Sequence, residues 1–147
     1  VCPSISITSD IIVGFPGETP KDYQETIDMM EKIRFDSVFS FMYSEREGTA
    51  ACNLPKKVPL QEKRLRLRQL QLLQEAHTQQ KNTGLKGSVQ EVLVEGRSKN
   101  SHQDVMGRTR CWKIVNFKGG SELTGDLVRV EITRGFLHSL RGELIKP

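Results

Sequence analysis

Two acidic residues, Asp10 and Glu18, bracket Gly14-Phe15-Pro16-Gly17 where a run of branched apolar residues ends. Glycines permit backbone angles and close approaches that a Cβ would block, so this turn is either a tight strand-to-helix connection or a backbone surface for a ligand. Further on, Arg46 in Tyr43-Ser44-Glu45-Arg46-Glu47-Gly48-Thr49 carries a permanent charge on a planar fork suited to a carboxylate or phosphate. Its alternative is an exposed pairing with Glu45 or Glu47. A third group, Arg97, Lys99, Arg108, Arg110, Lys113 and Lys118, clusters around two expected turns and the strand between them. Such a lining could track the phosphates of a nucleic acid, with an affinity that falls as salt rises. Trp112 sits among these charges, either to stack on an unpaired base or to plug a small core beside Ile114 and Val115. The three cysteines, Cys2, Cys52 and Cys111, are too far apart in sequence to form a metal cluster and too few for a disulfide framework. A reducing cytoplasm fits them, and no residue is assigned to metal binding or catalysis.

The elements that must position these groups are legible from periodicity. Ile5 to Val13 alternates, with Ile5, Ile7, Ser9, Ile11 and Val13 on one face and Ser6, Thr8, Asp10 and Ile12 on the other, and reads as a strand buried on both sides. A strand of that kind, with functional groups at its C-terminal end, is what an α/β barrel builds. Thr19 as N-cap, Pro20 at the first helical position and Asp22 three residues past the cap start a helix, with Tyr23, Ile27, Met30 and Ile33 as its apolar stripe. Ser37 to Tyr43 reads as a second strand, completing a β-α-β unit. A long helix is predicted from Leu60 to Asn82, with leucines at 65, 67, 70, 72 and 73, Gly84 as its left-handed cap, and Lys63, Arg64, Arg66 and Arg68 on a solvated face.

Beyond Gly84 the period changes to two. Val89–Glu95, Lys113–Phe117, Leu127–Thr133 and Leu137–Leu144 read as short strands separated by turn clusters such as 97–104, and suggest a small closed or OB-like barrel. Gly142 is expected in a closing turn, and His138 is read as structural. The domain boundary falls near residue 84, giving 1–83 and 84–147.

Composition excludes other classes. At 147 residues, 36% hydrophobic and 27% charged, with no apolar run near the ~18 residues of a bilayer span, the chain reads as globular, without a membrane partner or signal peptide. It opens on Val1-Cys2-Pro3 without an initiator Met, which suggests a segment of a longer protein. The net charge is +4, and residues 1–83 hold 11 basic against 11 acidic side chains whereas 84–147 hold 11 against 7. The whole excess lies in the second part, which suggests an anionic partner there.

Several separated stretches, "TSDIIVGFPGETPKDYQETIDMMEKIRFDSVFSFMYSEREGTAA", "VLVEGRSK", "GRTRCWKIVNF" and "VEITRGFLHSLRGEL", occur in an order that resembles the C-terminal part of the MiaB-like tRNA methylthiotransferases of the radical S-adenosylmethionine family. The resemblance implies an α/β partial TIM-like barrel, the last strands and helices of a radical-SAM barrel, followed by a small all-β TRAM barrel that binds tRNA. It implies S-adenosylmethionine near Ser9, Asp10, Gly14, Glu18 and Arg46. It also implies two [4Fe-4S] clusters, one cleaving S-adenosylmethionine reductively and the other serving sulfur delivery, whose ligands lie outside this chain, so the chain alone should be inactive. Glu47 stands where the family commonly has Pro, which puts the rigidity of that loop in question. Two rivals remain at this level: a sister methylthiotransferase acting on threonylcarbamoyladenosine or on a ribosomal protein, and a non-catalytic RNA-binding module.

Overall fold

The computed structural model describes residues 5–99, 101 and 103–145; Cys2, and Asn100 and His102 of the expected turn 97–104, lie outside that set. The chain divides into two compact units, residues 6–77 and a second that holds residues 78–145 together with Ile5, and the division lies inside a helix.

In the front unit, β1 (Thr8–Val13) and β2 (Ser37–Met42) pair in parallel, Thr8 opposite Ser37 and Val13 opposite Met42, around α1 (Pro20–Ile33). α1 starts where expected: Thr19 and Asp22 form a reciprocal capping box, Thr19 N–H donating to Asp22 Oδ2 at 2.8 Å and Asp22 N–H to Thr19 Oγ1 at 3.2 Å. These bonds hold the Asp22 carboxyl below the usual carboxylate range. The helix ends at Arg34, left-handed at φ 54°, its N–H donating to Met30 O.

α2 (Leu60–Gly84) is continuous, but the face it buries is not the one its leucines suggest. Leu65 and Leu72 are exposed, whereas Arg66, Leu70, Gln74 and His77, spaced at four, four and three residues, form the buried stripe. Part of this polar stripe is bonded: Arg66 Nη1 donates to Glu18 Oε1 at 2.6 Å, and Gln74 Nε2 donates to Phe35 O at 3.0 Å. With Ile11, Val13, Tyr23, Met30 and Phe35, Leu70 closes the front core. Two expectations are corrected here. The basic half of α2 is not uniformly solvated, since Arg66 is buried, and the left-handed turn after α2 is at Gly87, φ +82°, not Gly84.

The first strand is also corrected. It begins at Thr8, Ile5 and Ile7 are exposed, and the Asp10/Ile12 face is open rather than buried. A two-stranded sheet covered by helices on one side leaves its other side bare, and Ile12, Phe39 and Phe41 stand on that bare side.

The rear unit is a closed barrel of five strands, β3 (Val89–Arg97), β4 (Asp104–Thr109), β5 (Ile114–Lys118), β6 (Leu127–Gly135) and β7 (Leu140–Leu144), in the order β3-β4-β5-β7-β6. All neighbours are antiparallel except β5 and β7, an OB-like arrangement. Val92, Val94, Val105, Val115, Phe117, Val130, Ile132 and Leu140 fill the interior at 0–1% exposure, each such side chain contributing roughly 1.5–3 kcal/mol. Gly142 is not in a closing turn. It lies within β7, where a Cβ would stand 2.4 Å from Val130 Cγ1 and 2.7 Å from Glu131 O, so only glycine lets the strands meet. β7 itself starts at Leu140 rather than Leu137, and exposed His138 lies in the preceding turn.

Near the β3–β4 and β6–β7 connections, Asp104 and Arg141 form a two-pronged ion pair at 2.5 and 3.1 Å. The Arg141 guanidinium holds the Asp104 carboxyl below its ordinary range. A depressed folded value means that the pair's stabilisation is present above the unfolded pKa of about 4 and lost as pH falls through the lower folded value. The barrel's resistance to urea is therefore expected to fall below pH ~4, and Asp104→Asn should flatten that dependence. Identical pH profiles for the two chains would rule out the pair as the cause.

Candidate functional site

β1 ends in a turn locked by charge. The Glu18 carboxylate turns back over it, Oε2 accepting from Gly14 N–H at 2.6 Å and Phe15 N–H at 3.3 Å, while Oε1 accepts from Arg66 Nη1 at 2.6 Å. Arg66, 5% exposed, also donates to Glu18 O and to the Glu62 carboxylate. Burial opposes its charge, but the hydrogen bonds to Glu18 and Glu62 outweigh burial and keep it above its ordinary value. Gly14 has φ +73°, and a Cβ there would lie 2.4 Å from Lys63 Cγ. The close approach that Gly14 allows is thus made by the stem of Lys63, whose Nζ goes on to donate to Tyr43 O at 3.0 Å and stands 5.1 Å from the Tyr43 ring centroid.

Beside this turn lies a cleft of about 580 Å³ on the open side of β1 and β2. Asp10, Phe15, Phe41, Tyr43, Arg46 and Thr49 are among the residues that line it. Phe15 meets Tyr43 edge-on, centroids 5.0 Å apart. The Tyr43 phenol oxygen is buried with no hydrogen-bond partner among the described residues. Burial first, then the neighbouring Cys52 and Glu45, pushes this phenol above its ordinary range, so at neutral pH it is a neutral donor. Arg46 is not consumed by its neighbours: Glu45 pairs with Lys57 at 2.6 Å, and among the described residues no ion pair takes Arg46. The loop is held without the proline, because Thr49 Oγ1 and Cys52 Sγ both donate to Arg46 O at 2.7 Å.

Of the five expected cofactor-proximal residues, the structure brings Asp10 and Arg46 together at the cleft. Ser9 lies on the opposite face of β1, with Ile11 and Val13, because strand neighbours alternate. Gly14 and Glu18 build the turn rather than the cleft wall. Sequence reasoning missed Tyr43 as a cleft donor and Arg66 as the buried partner of Glu18. The latter's one sequence signal was its place in a Glu62-Arg66 pair four residues apart, which an exposed helix shows equally often.

The six basic residues of the rear unit separate into two groups. Register places Arg97 opposite Val105 and Lys118 opposite Asp104, so that these and Lys99 gather at one end of the β3–β4–β5 sheet. Arg108, Arg110 and Lys113 stand at the other end, around the β4–β5 turn. In the second group Arg108 Nε donates to Glu95 at 2.9 Å, Arg110 Nε to Glu91 at 2.5 Å and Lys113 Nζ to Asn82 Oδ1 at 2.9 Å. Trp112 is not a core plug: it is 73% exposed at the tip of that turn, with left-handed φ of 63°, and Arg108 Cζ lies 4.8 Å from its ring centroid.

Among the described residues no group of three or more His, Cys, Asp or Glu gathers to hold a metal, and no helix is long and apolar enough to cross a membrane. Comparison with known proteins gives the context for both sites. The family model described as the TRAM domain matches residues 85–145. Over its own length the chain is similar to proteins named tRNA-2-methylthio-N(6)-dimethylallyladenosine synthase: 58% identical over 99% of the chain in Syntrophus aciditrophicus, 51% over 97% in Syntrophomonas wolfei, and 45% over 98% in Legionella pneumophila. It spans about a third, 32%, of the length of each. Residues 85–145 are thus a TRAM domain, in a chain that matches the C-terminal part of the tRNA-2-methylthio-N(6)-dimethylallyladenosine synthases along nearly its whole length.

Proposed function

We propose that the chain is the C-terminal part of an enzyme that adds a methylthio group to the isopentenylated adenosine beside the tRNA anticodon, working in the cytoplasm. The observation that carries this is identity of 58% over 99% of the chain to a synthase of that name. Residues 1–83 would be the last strands and helices of a radical-SAM barrel, and 84–147 the TRAM barrel that holds tRNA. The bare side of β1 and β2, with Ile12, Phe39 and Phe41 uncovered, supports the first assignment, because it is the kind of surface that further barrel strands would pack.

The cleft suits S-adenosylmethionine. It offers aromatic walls in Phe15 and Phe41, a guanidinium in Arg46 for a carboxylate, the Asp10 carboxylate for hydroxyl or ammonium groups, and a buried phenol on Tyr43 still to be satisfied. Bound there, the cofactor would supply the radical initiator and the methyl group. This chain's residues bind and orient it and shield it from water. Ser9, Gly14 and Glu18 would act at one remove, through the shape of the strand and its turn. The two [4Fe-4S] clusters find no ligand set among the described residues, and we assign their cysteines to the part of the relatives that this chain does not span. On the rear barrel, Arg97, Lys99 and Lys118 at one end and Arg108, Arg110 and Lys113 at the other would meet tRNA phosphates.

The test joins this chain to the remaining part of a relative, loads the clusters, and assays methylthiolation of isopentenylated tRNA. Product formation is expected, and Arg46→Ala should raise KM for S-adenosylmethionine about tenfold while leaving tRNA affinity unchanged, as the loss of one charge-assisted bond implies. Loaded clusters without product would defeat the assignment.

A further inference from the structure

Trp112 is the one tryptophan in the chain, and the structure spends it on solvent. Its position is built rather than accidental. Thr109 N–H donates to Lys113 O, Trp112 N–H to Thr109 O, and Lys113 N–H to Thr109 Oγ1, so the β4–β5 turn is closed by three hydrogen bonds at 2.9–3.1 Å. That closed turn carries a non-glycine residue at positive φ, which few side chains adopt. Arg108 lies against the indole and is itself fixed by Glu95, so the ring is held from the protein side and free to stack on the other. Arg110, its side chain largely exposed, stands at the same turn and supplies charge beside the ring.

An exposed aromatic plane held by a guanidinium and flanked by cations has the chemistry of a platform for a nucleic-acid base. A partner protein would be served by an apolar patch depleted of charge. At this turn Arg108 lies on the ring and Arg110 stands two residues before it, each also paired with a carboxylate, Glu95 and Glu91. We propose that Trp112 is a stacking platform for an unpaired base of bound RNA, with Arg108 as its positioning residue. This rests on the reading of the rear barrel as an RNA-binding module and adds to it a preference for single-stranded segments, because a paired base has no free face to offer.

The single tryptophan makes the proposal directly readable. The chain is titrated with an RNA hairpin bearing a single-stranded loop and with a blunt duplex of the same stem. The hairpin should quench the tryptophan emission at saturation and the duplex should not. Trp112→Ala should weaken hairpin binding roughly ten- to a hundredfold, Trp112→Phe should keep most of the affinity, and neither should change the salt slope, since stacking releases no counterions. Being exposed, the site should tolerate both substitutions, and unchanged thermal midpoints check this. If Trp112→Ala binds the hairpin as tightly as the parent, the platform is refuted while RNA binding stands. If the parent chain binds neither RNA at low salt, the RNA-binding reading falls and the platform falls with it. If the emission shifts only when the rest of a relative's chain is supplied, and with neither RNA, the indole is a protein contact and the proposal is overturned.

Discussion

Substituting Arg66 by methionine is expected to destabilise the front unit by about 3 kcal/mol, the order found when one member of a buried, hydrogen-bonded ion pair is removed. Methionine keeps much of the volume, so the loss is electrostatic. Glu18 and Arg66 have side-chain exposures of 13% and 6%, and without the guanidinium the Glu18 carboxylate keeps only the Gly14 and Phe15 N–H groups. Glu62, far more exposed, can turn to water. The damage should therefore track Glu18. Glu18→Gln in the Arg66→Met background should recover part of the loss, and the two single changes should fail to add by more than 1 kcal/mol, as expected of residues sharing one network. Thermal unfolding followed by helical ellipticity measures all four chains. Additive effects would mean that the two side chains act independently and that the ion pair does not hold the turn. Because this turn leads from β1 into α1, and Asp10 and Arg46 both line the cleft beside it, looseness there should also widen that cleft.

How much of this was legible in the sequence depended on whether the signal was local. The capping box at Thr19 and Asp22, the β-α-β order and the alternation of β3 and β6 are set within a few residues, and each is found where periodicity and cap chemistry place it. β4 was hidden because Asp104–Thr109 carries Gly107 and Arg108 and follows a polar stretch, so that it resembled turn. What makes it a strand is non-local, its pairing to both β3 and β5. Buried Arg66 was read as solvated for the same reason, since its partner Glu18 lies 48 residues away. Trp112 was left between two readings because hydrophobicity argues for burial, whereas a tight hairpin turn puts its tip residues outside the barrel whatever their type. Asp10 and Arg46, which line the cleft, were singled out by motif position. Tyr43 emerged only once its phenol proved to be buried and unpartnered.

Phe117→Ala is expected to unfold most of the rear barrel. Phe117 is fully buried, the largest side chain of that interior, on a strand bonded to both β4 and β7, opposite Val105 and Gly142. Truncating a core phenylalanine removes its transfer free energy and leaves a cavity, together about 3–5 kcal/mol. Relaxation is limited on one side, since the register neighbour on β7 is Gly142, which has no side chain to swing into the gap. A barrel of roughly 60 residues has only about 3–9 kcal/mol of total stability at the usual 0.05–0.15 kcal/mol per residue, so the change consumes most of it. Amide hydrogen exchange across β3 to β7 should lose its protection, and hairpin-RNA affinity should collapse together with its salt dependence. That pattern separates it from Trp112→Ala, which should lower affinity while leaving the salt slope and the exchange protection intact. If the β5 amides of Phe117→Ala stayed protected as in the parent chain, the barrel would not be closing on that ring, and the link drawn between its core and RNA binding would have to be abandoned.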